Sequence, residues 1–303
     1  MDRIPKKVGN YMELTLQKSQ KLQKFHREAL YPLFEQVFGI PPEMLEDYYS
    51  KGFWNPLYCP YSLFKRNRAV ANVSVIPMKW IIKGEVVDAA GIQSVMTLPS
   101  ERKKGYMTRL MNLVLKDLRK YPYVFLQTEN PGLYERYGFK QIEEQILIIE
   151  MLQDDLVHKH MLKKIDFNYM EDIKLIQKCF SRQVENSQVF VPLHYKHSML
   201  LNLYNPSLAE KLYYSELLDL LLVFEVSEGV LRIYDVIGPT KVDLDDICRI
   251  IGGRYSSIEL HFSADQIIET NNIKTKKKQG TLMVKGHLDL GNRPIGFPIT
   301  ASF

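Results

Sequence analysis

Stretches rich in valine and isoleucine alternate along the chain with stretches in which apolar residues recur every three or four positions. The first pattern predicts strands, and the second predicts amphipathic helices. In the first half the patterns predict, in order, a hairpin over residues 69–98 that turns at Lys83-Gly84, a helix over 107–120, a strand over 123–128, a short helix over 131–139 closed by Gly138, and a strand over 145–151. This order of elements is that of a mixed α/β fold.

The first sixty residues predict less regular structure. Apolar and charged positions over residues 12–38 predict a helix with a break near Pro32, which Pro41-Pro42 ends. Residues 48–61 are aromatic and contain proline, so we expect a loop there. Such a loop often borders a pocket, although simple packing also accounts for it.

The second half repeats a similar order of elements with weaker patterns. We expect helices over residues 171–180, 207–221 and 244–251, and strands over 222–226, 230–237, 257–262, 281–288 and 295–303. The basic run from Lys274 to Lys278 lies between predicted elements, and we expect a solvated loop there.

Length and composition indicate the class of protein. The chain has 303 residues, of which 46% are hydrophobic and 25% charged, which is typical of a soluble globular protein. We expect two domains, divided after residue 151. The longest apolar run, residues 217–224, is shorter than the roughly 18 residues of a membrane span, and the first ten residues lack a signal-peptide core. Three cysteines without CxxC spacing suit a reducing compartment, so we expect a cytoplasmic protein with no membrane partner.

The net charge of +5 comes from the first 150 residues. A basic surface suits a polyanionic ligand such as a nucleotide or coenzyme, although an ordinary solvated surface has the same composition. Among the histidines, His194 and His197 lack the third and fourth partners of a metal site, and His158 and His160 lie beyond the first domain. We therefore expect no metal.

One segment, residues 94–111 with the sequence SVMTLPSERKKGYMTRLM, combines a strand end, a basic turn and a helix start. The first amide groups of a helix have no helical acceptor and the helix dipole is positive there, so the main chain can hold a pyrophosphate. Gly105 allows the phosphates to approach closely. Positive charge comes from three neighbours, Arg102, Lys103 and Lys104. The alternative is an ordinary strand–turn–helix connection with a basic turn.

Residues 102–107 resemble the signature of the GNAT superfamily, Arg/Gln-x-x-Gly-x-Gly/Ala, with Met107 at the last fixed position. A bulky residue there is similar to the enhanced-intracellular-survival group of acetyltransferases. Residues 130–139, NPGLYERYGF, resemble the GNAT segment in which a tyrosine precedes a Tyr/Phe-Gly-Phe ending. The resemblance implies a central twisted, mostly antiparallel sheet flanked by helices over residues 1–151. It also implies a degenerate second GNAT-like domain over residues 152–303 that covers the acceptor groove; a sterol-carrier-like domain is the alternative.

The resemblance further implies which residues hold acetyl-CoA, the one co-substrate expected. The strand would lend main-chain groups to pantetheine and the thioester, the turn and helix start would hold the pyrophosphate, and the end of the next strand would line the same slot. These residues are Val95, Met96 and Thr97 in the strand, Arg102, Lys103, Lys104, Gly105, Tyr106, Met107 and Thr108 in the turn and helix, and Thr128, Glu129 and Asn130 after the next strand. Splaying between residues 95–98 and 125–128 would open the slot.

The resemblance assigns catalysis to Tyr134, which would donate a proton to the departing coenzyme thiolate, whose conjugate acid has a pKa of about 8.5. A base is needed as well, because an alkyl amine with a pKa of about 10.4 is almost entirely protonated at neutral pH. Glu129 is one candidate, and the terminal carboxylate at Phe303 is the other. A packed tyrosine and a solvated carboxylate are the structural alternatives.

The resulting prediction is an N-acetyltransferase that transfers an acetyl group from acetyl-CoA directly to a primary amine of a small molecule or peptide. Two other functions stay open. Met107 in the signature favours a non-catalytic, regulatory coenzyme-binding module, and the doubled domain with a basic first half favours an aminoacyl transferase that uses tRNA. The phosphate-binding turn favours the first function, so we expect no nucleic-acid partner and leave the oligomeric state open.

Overall fold

The computed structural model describes residues 14–19, 23–151, 161–268 and 273–303. The strands are β1 (Leu14–Lys18), β2 (Cys59–Lys65), β3 (Arg68–Ile82), β4 (Glu85–Thr97), β5 (Tyr123–Gln127), β6 (Lys140–Gln141), β7 (Glu144–Glu150), β8 (Leu162–Lys164), β9 (Phe190–Leu193), β10 (Leu212–Ser215), β11 (Leu220–Ser227), β12 (Val230–Ile237), β13 (Ser257–Leu260), β14 (Lys274–Lys278) and β15 (Leu282–Lys285). The α-helices are α1 (Lys24–Phe38), α2 (Pro42–Ser50), α3 (Tyr106–Asp117), α4 (Gly132–Glu135), α5 (Met170–Ser181), α6 (Lys196–Asn202), α7 (Pro206–Ala209) and α8 (Leu244–Ile251). Short 3-10 turns are Pro99–Glu101, Leu118–Lys120 and Ile299–Ala301.

These elements form a mixed α/β protein with two sheets, as predicted. The chain divides into two compact units, of which unit 1 takes in residues 1–76 and 92–119, and unit 2 takes in residues 77–91 and 120–303. The first part of β3 and the last part of β4 therefore belong to unit 1. Within the part of the chain that the structure describes, no helix has the length and apolar character needed to cross a membrane.

Unit 1 begins with β1, which pairs antiparallel with β2 over its whole length. The predicted helix over residues 12–38 is therefore wrong at its start, because pairing with a neighbouring strand outweighs a weak local pattern. Its second part forms α1, which contains Pro32 without ending there. Leu30 and Leu33 next to this proline are fully buried, so packing of the helix holds it together. Leu22, part of the same pattern, lies outside the described residues.

The aromatic stretch over residues 48–61 is more regular than predicted. α2 continues to Ser50, and β2 starts at Cys59 and pairs antiparallel with β3. In the segment between them, the Trp54 and Tyr58 rings pack edge to face with centroids 5.6 Å apart. The prediction of a loop is thus wrong at both of its ends, where residues 48–50 belong to α2 and residues 59–61 belong to β2.

β3 and β4 form the predicted hairpin, whose turn at Lys83-Gly84 has φ values of +53° and +83°. Two left-handed residues in succession are what a two-residue turn needs to match the twist of its strands. The structure also confirms the predicted elements that correspond to α3, β5, α4, β7, α5, β11, β12, α8, β13 and β15.

Unit 2 contains a seven-stranded sheet in the order β14-β7-β13-β12-β11-β10-β8. β12 and β13 are parallel and are connected through α8, whereas the other neighbours are antiparallel. Ile247 and Ile250 of α8 pack into one apolar cluster with Leu231 of β12 and Ile258 of β13. A helix that connects parallel neighbours and packs on their face is a βαβ unit.

Two strands of unit 2 occupy corresponding places in different sheets. β7 lies between β13 and β14, and β15 lies between β5 and β6. In the chain β7 follows β6, whereas β15 follows β14. β7 therefore lies in the sheet that contains β14, and β15 lies in the sheet that contains β6. The predicted domain division after residue 151 stays a prediction. Under it the seven-stranded sheet would take β7 from the first half, and the other sheet would take β9 and β15 from the second half.

Three predicted elements of the second half are wrong. Residues 207–221 form the end of the short α7, all of β10 and the start of β11, because Leu212–Ser215 pairs with both β8 and β11. The basic run forms β14 instead of a loop, since its lysines face glutamates of β7, as in the 2.8 Å contact between Lys278 and Glu144. Residues 295–303 form no strand and include a 3-10 turn.

Candidate functional site

The turn between β4 and α3 in unit 1 is fixed by hydrogen bonds at its first half. The amide of Leu98 donates to the carbonyl of Val70 (3.0 Å). The Glu101 carboxylate accepts from the Lys65 ammonium (2.7 Å) and from the Lys104 ammonium (2.8 Å). Bonds from Lys104 and Lys65 hold the pKa of Glu101 below its ordinary value, so the carboxylate is charged at neutral pH. One predicted cation of the turn, Lys104, thus already has a partner.

The other two predicted cations of this turn are available to a ligand. Arg102 and Lys103 are exposed, and neither forms an ion pair with any residue that the structure describes. Lys103 has a φ of +63° and Gly105 a φ of +77°, both in the left-handed region. Because such a conformation is uncommon for a residue with a side chain, the turn has a defined shape.

The N-terminus of α3 carries no capping side chain from the residues that the structure describes, and its first turn contains no acidic residue. A Cβ built on Gly105 would meet no atom within 4 Å, so the space in front of the helix is open. Because the first amides of a helix lack helical acceptors and carry the positive end of its dipole, this terminus can bind an anion.

α8 in unit 2 provides an internal comparison, because it too lies between two strands in the chain. There the Asp243 carboxylate accepts a hydrogen bond from the Asp246 amide (2.8 Å), and Asp245 and Asp246 occupy the first turn. Three carboxylates at a helix N-terminus repel a phosphate. The open terminus is therefore a property of α3 and not of every helix in this position of the fold.

The strand residues predicted to hold the coenzyme precede this turn. The Met96 side chain is 1% exposed, while those of Val95 and Thr97 are half-buried. The helix-start residues are half-buried as well; these are Tyr106, Met107 and Thr108. Unit 1 thus contains, in one continuous segment, every residue predicted to bind pantetheine and pyrophosphate.

The end of β5 in unit 2 carries the second group of predicted residues. The Thr128 amide donates to the Thr281 carbonyl (2.9 Å), and the Thr128 hydroxyl accepts from the Asn130 amide (3.0 Å). This Asn130 bond turns the chain toward α4. Glu129 is exposed and forms no ion pair with any described residue. The predicted splaying of residues 95–98 from 125–128 stays a prediction.

Tyr134, the predicted general acid, lies on α4. Its side chain is 7% exposed and packs edge to face against Phe139, with ring centroids 6.3 Å apart. The hydroxyl makes no hydrogen bond to the described protein, and solvent can reach it. Burial and the nearby Tyr137 raise the pKa of Tyr134 to about 12, so the phenol keeps its proton at neutral pH.

Phe303 is held at β5 by side chains whose role the sequence does not predict. Its amide donates to the Gln127 carboxamide oxygen (3.0 Å), and the Gln127 amide group donates to the Ser302 hydroxyl (3.3 Å). Asn202 on α6 donates to the Ser302 carbonyl (2.9 Å). A lone glutamine on a strand or asparagine on a helix has no recognisable sequence pattern, because only the fold defines its partners.

A buried carboxylate anchors the same segment. Asp235 on β12 is 1% exposed and accepts hydrogen bonds from the Tyr195 hydroxyl (2.8 Å), the Val236 amide (2.8 Å) and the Thr300 hydroxyl. Burial raises the pKa of Asp235 to about 7, and burial with the Asp235 charge raises that of Glu185 to about 7. The segment over residues 299–303 is thereby tied to the core of unit 2.

This anchor predicts a pH-dependent stability. Between about pH 4 and pH 7 folded Asp235 holds a proton that the unfolded chain has lost, so its contribution to the free energy of unfolding falls as pH rises. We expect Asp235→Asn to become more stable relative to the wild type as pH increases across this window. Urea unfolding from pH 4.5 to pH 8 measures the difference, with the exposed Asp289→Asn as control. A constant difference would contradict a raised pKa.

The packing of Phe303 leads to a second prediction. A Cβ on Gly91 would lie 2.7 Å from both the Phe303 ring and the Met78 sulfur. Gly91→Ala should displace the ring and destabilise the fold by about 1–3 kcal/mol, as overpacking typically does. Gly132→Ala is the matched control, because a Cβ there would meet nothing within 4 Å. Equal thermal stability of the two variants would show that Phe303 does not pack against Gly91.

Metal binding finds no support in the described part of the chain, where no three His, Cys, Asp or Glu residues form a group that could hold an ion. His158 and His160 lie outside the described residues. His194 and His197 on unit 2 belong to no such group.

A family model matches part of the chain. Residues 18–142 match the family model described as "Acetyltransferase (GNAT) domain". No curated protein sequence matches the chain.

Three solved structures are similar in fold. They are a conserved protein of unknown function and probable N-acyltransferase from Enterococcus faecalis (17% identity, 90% of this chain and 72% of that chain, TM-score 0.57), a GCN5-related N-acetyltransferase from Kribbella flavida (14%, 89% and 71%, 0.52), and Eis1 from Mycobacterium abscessus (12%, 89% and 73%, 0.57). At these identities the similarity concerns the fold alone. The family match identifies residues 18–142 as a GNAT acetyltransferase domain.

Proposed function

We propose that the protein transfers the acetyl group of acetyl-CoA directly to a primary amine of a small molecule or peptide. The observation that carries this proposal is the open N-terminus of α3, with Gly105 in the left-handed region and two exposed, unpaired cations in the preceding turn. A pyrophosphate needs main-chain donors, positive charge and room for close approach, and this turn offers all three.

Acetyl-CoA supplies an activated acetyl group as a thioester. In this proposal Arg102, Lys103 and the first-turn amides of α3 bind the pyrophosphate. The main chain of residues 95–97 orients pantetheine and the thioester carbonyl, and Thr128 with Asn130 lines the slot. Lys104 contributes to coenzyme binding indirectly, because its bond to the Glu101 carboxylate fixes the turn.

Tyr134 acts as the general acid in this proposal. Burial keeps the phenol protonated at neutral pH, and its hydroxyl has no hydrogen-bond partner in the described protein, so it can donate a hydrogen bond. The departing thiolate, whose conjugate acid has a pKa of about 8.5, is a weaker base than the phenolate, so this hydrogen bond stabilises the thiolate as the carbon–sulfur bond breaks.

The base in this proposal is a carboxylate near the end of β5. Glu129 is exposed and without an ion pair among the described residues, so it can accept a proton directly or through water. The carboxylate expected at Phe303 is the second candidate, supported by the bond from the Phe303 amide to Gln127. Loss of turnover in Glu129→Gln, with acetyl-CoA affinity intact, would favour the first candidate.

We also propose that the seven-stranded sheet of unit 2 is the degenerate second GNAT-like domain. Its β12–α8–β13 order repeats that of β4–α3–β5, while the aspartates at the start of α8 explain why it would not bind a coenzyme. A cytoplasmic location completes the proposal, and the three cysteines are free thiols, as a reducing compartment favours.

Calorimetric titration with acetyl-CoA tests the proposed function. We expect micromolar binding, and far weaker binding of S-acetyl-N-acetylcysteamine, which carries the thioester but no pyrophosphate. Absence of acetyl-CoA binding would contradict the proposal and favour the tRNA-dependent aminoacyl transferase. Binding without transfer to any amine would favour the non-catalytic coenzyme-binding module.

A further inference from the structure

Ser94 on β4 has an unusual backbone conformation. Its φ is +51°, in the left-handed region, although it is neither glycine nor part of a turn. A residue with a side chain in this region is strained, and the surrounding structure must hold it there. Because the conformation of one strand residue sets the direction of the next peptide groups, Ser94 determines how the main chain of residues 95–97 is presented.

Asn72 on β3 holds this residue. Its amide group donates to the Ser94 carbonyl oxygen (2.9 Å) and to the Ser74 hydroxyl (2.8 Å). Its carboxamide oxygen accepts from the Ser62 hydroxyl (2.7 Å). Asn72, Ser74 and Ser62 are all fully buried, so water cannot replace these bonds.

The hydrogen-bond directions in this cluster follow from its chemistry. Since the Ser62 proton goes to Asn72, the ring nitrogen Nε2 of His26, 2.7 Å from the Ser62 oxygen, must be the donor. Burial lowers the pKa of His26 to about 4, so the ring is neutral at physiological pH. His26, Ser62 and Asn72 thus form one directed chain that ends at the Ser94 carbonyl.

We propose that Asn72 is a positioning residue for coenzyme binding: through the Ser94 carbonyl it fixes the main chain of residues 95–97 in the orientation that binds the coenzyme. This inference rests on the proposed function, because it assumes that residues 95–97 contact pantetheine. Asparagine suits the position because a single nitrogen donates twice while the oxygen accepts from Ser62. Neither a carboxylate nor an apolar side chain can do both.

The first test compares two buried truncations in the same cluster. Asn72→Ala loses the bond to the Ser94 carbonyl, whereas Ser74→Ala loses only the other bond of the same nitrogen. We expect Asn72→Ala to bind acetyl-CoA about tenfold or more weakly. Ser74→Ala should retain wild-type affinity for acetyl-CoA, even if its midpoint of unfolding falls as far as that of Asn72→Ala. Equal affinity losses in both variants would overturn the proposal.

The second test leaves the buried cluster intact, in case Asn72→Ala does not fold. Asn72 bonds to the main-chain oxygen of Ser94, so the half-buried Ser94 side chain can be changed without removing that bond. Glycine adopts a positive φ freely, whereas β-branched valine strongly disfavours it. Ser94→Gly should therefore retain acetyl-CoA affinity and Ser94→Val should lose it about tenfold or more. Equal affinity in the two variants would overturn the proposal.

A ligand-free measurement separates this inference from the proposed function. Amide hydrogen exchange over residues 94–97 reports the main chain of β4 in the absence of coenzyme. We expect faster exchange there in Asn72→Ala than in Ser74→Ala. If that difference is present but the wild type does not bind acetyl-CoA, the proposed function fails while Asn72 still controls β4. If the wild type binds and the exchange difference is absent, the inference about Asn72 fails alone.

Discussion

We expect Gly105→Asp to abolish measurable acetyl-CoA binding while the protein stays folded. The aspartate carboxylate would occupy the open space before α3, where the pyrophosphate is expected, and like charges repel. Aspartate is favoured at helix N-termini and tolerates the left-handed region better than most residues with a side chain, so we expect the helix start to form despite a φ of +77°. Calorimetry and thermal unfolding of the same samples separate binding from stability.

Gly105→Asn is the matched control for this variant. Asparagine has the shape of aspartate, is also a good N-cap and tolerates the left-handed region, but it carries no charge. We expect it to bind acetyl-CoA at least about tenfold more tightly than the aspartate variant. If Gly105→Asp binds as tightly as the wild type, the phosphates lie elsewhere and the position assigned to the coenzyme is wrong.

We expect Tyr134→Phe to lose turnover while its affinity for acetyl-CoA is retained. General acid catalysis typically contributes about 10²–10⁴-fold, so we expect kcat to fall within that range. The dissociation constant should not change, because the proton is needed only when the thiolate departs. The stability should change little as well, since the hydroxyl makes no hydrogen bond to the described protein. Steady-state kinetics with calorimetry measures both quantities.

Tyr137→Phe is the matched control, three residues further along the chain. Its hydroxyl accepts a hydrogen bond from Arg136 (2.9 Å) rather than lying unpaired. Full turnover in Tyr137→Phe and reduced turnover in Tyr134→Phe would assign the proton donor. Unchanged kcat in Tyr134→Phe would mean that water or another group protonates the thiolate.

Elements with a strong local pattern could be predicted from the sequence. The β3–β4 hairpin has a glycine at its turn, and α3 has apolar residues at helical spacing, so short-range physics determines both. The basic turn before Gly105 was also recognisable, because its residue types and their spacing are local. These are the parts of the chain whose structure depends least on distant neighbours.

Elements that depend on distant partners could not be predicted. β14 consists largely of lysines and becomes a strand because glutamates of β7 lie beside it. The placement of β7 and β15 in exchanged positions depends on strand order, which no local pattern encodes. Residues 295–303 are apolar enough to suggest a strand, yet side-chain bonds from Asn202 and to Asp235 hold them in another conformation.

The residues of the candidate site also divide into those that the sequence predicts and those that it does not. The residues of the signature segment were predictable, whereas Asn72, Gln127 and Glu101 were not, since each is a single polar residue whose partner lies far along the chain. Their contribution is to hold the main chain of the predicted residues. The sequence therefore predicts which groups would bind the coenzyme, and the fold is needed to find which groups position them.

Incubation with isotopically labelled acetyl-CoA and a panel of amines that includes aminoglycosides, polyamines and peptides tests direct acetyl transfer. Mass spectrometry follows the label, and a thiol reagent follows coenzyme A. We expect label on at least one amine in equal amount to the coenzyme A released, and we expect both signals to be lost in Gly105→Asp and strongly reduced in Tyr134→Phe. Wild-type protein that binds acetyl-CoA but labels no amine would contradict direct acetyl transfer.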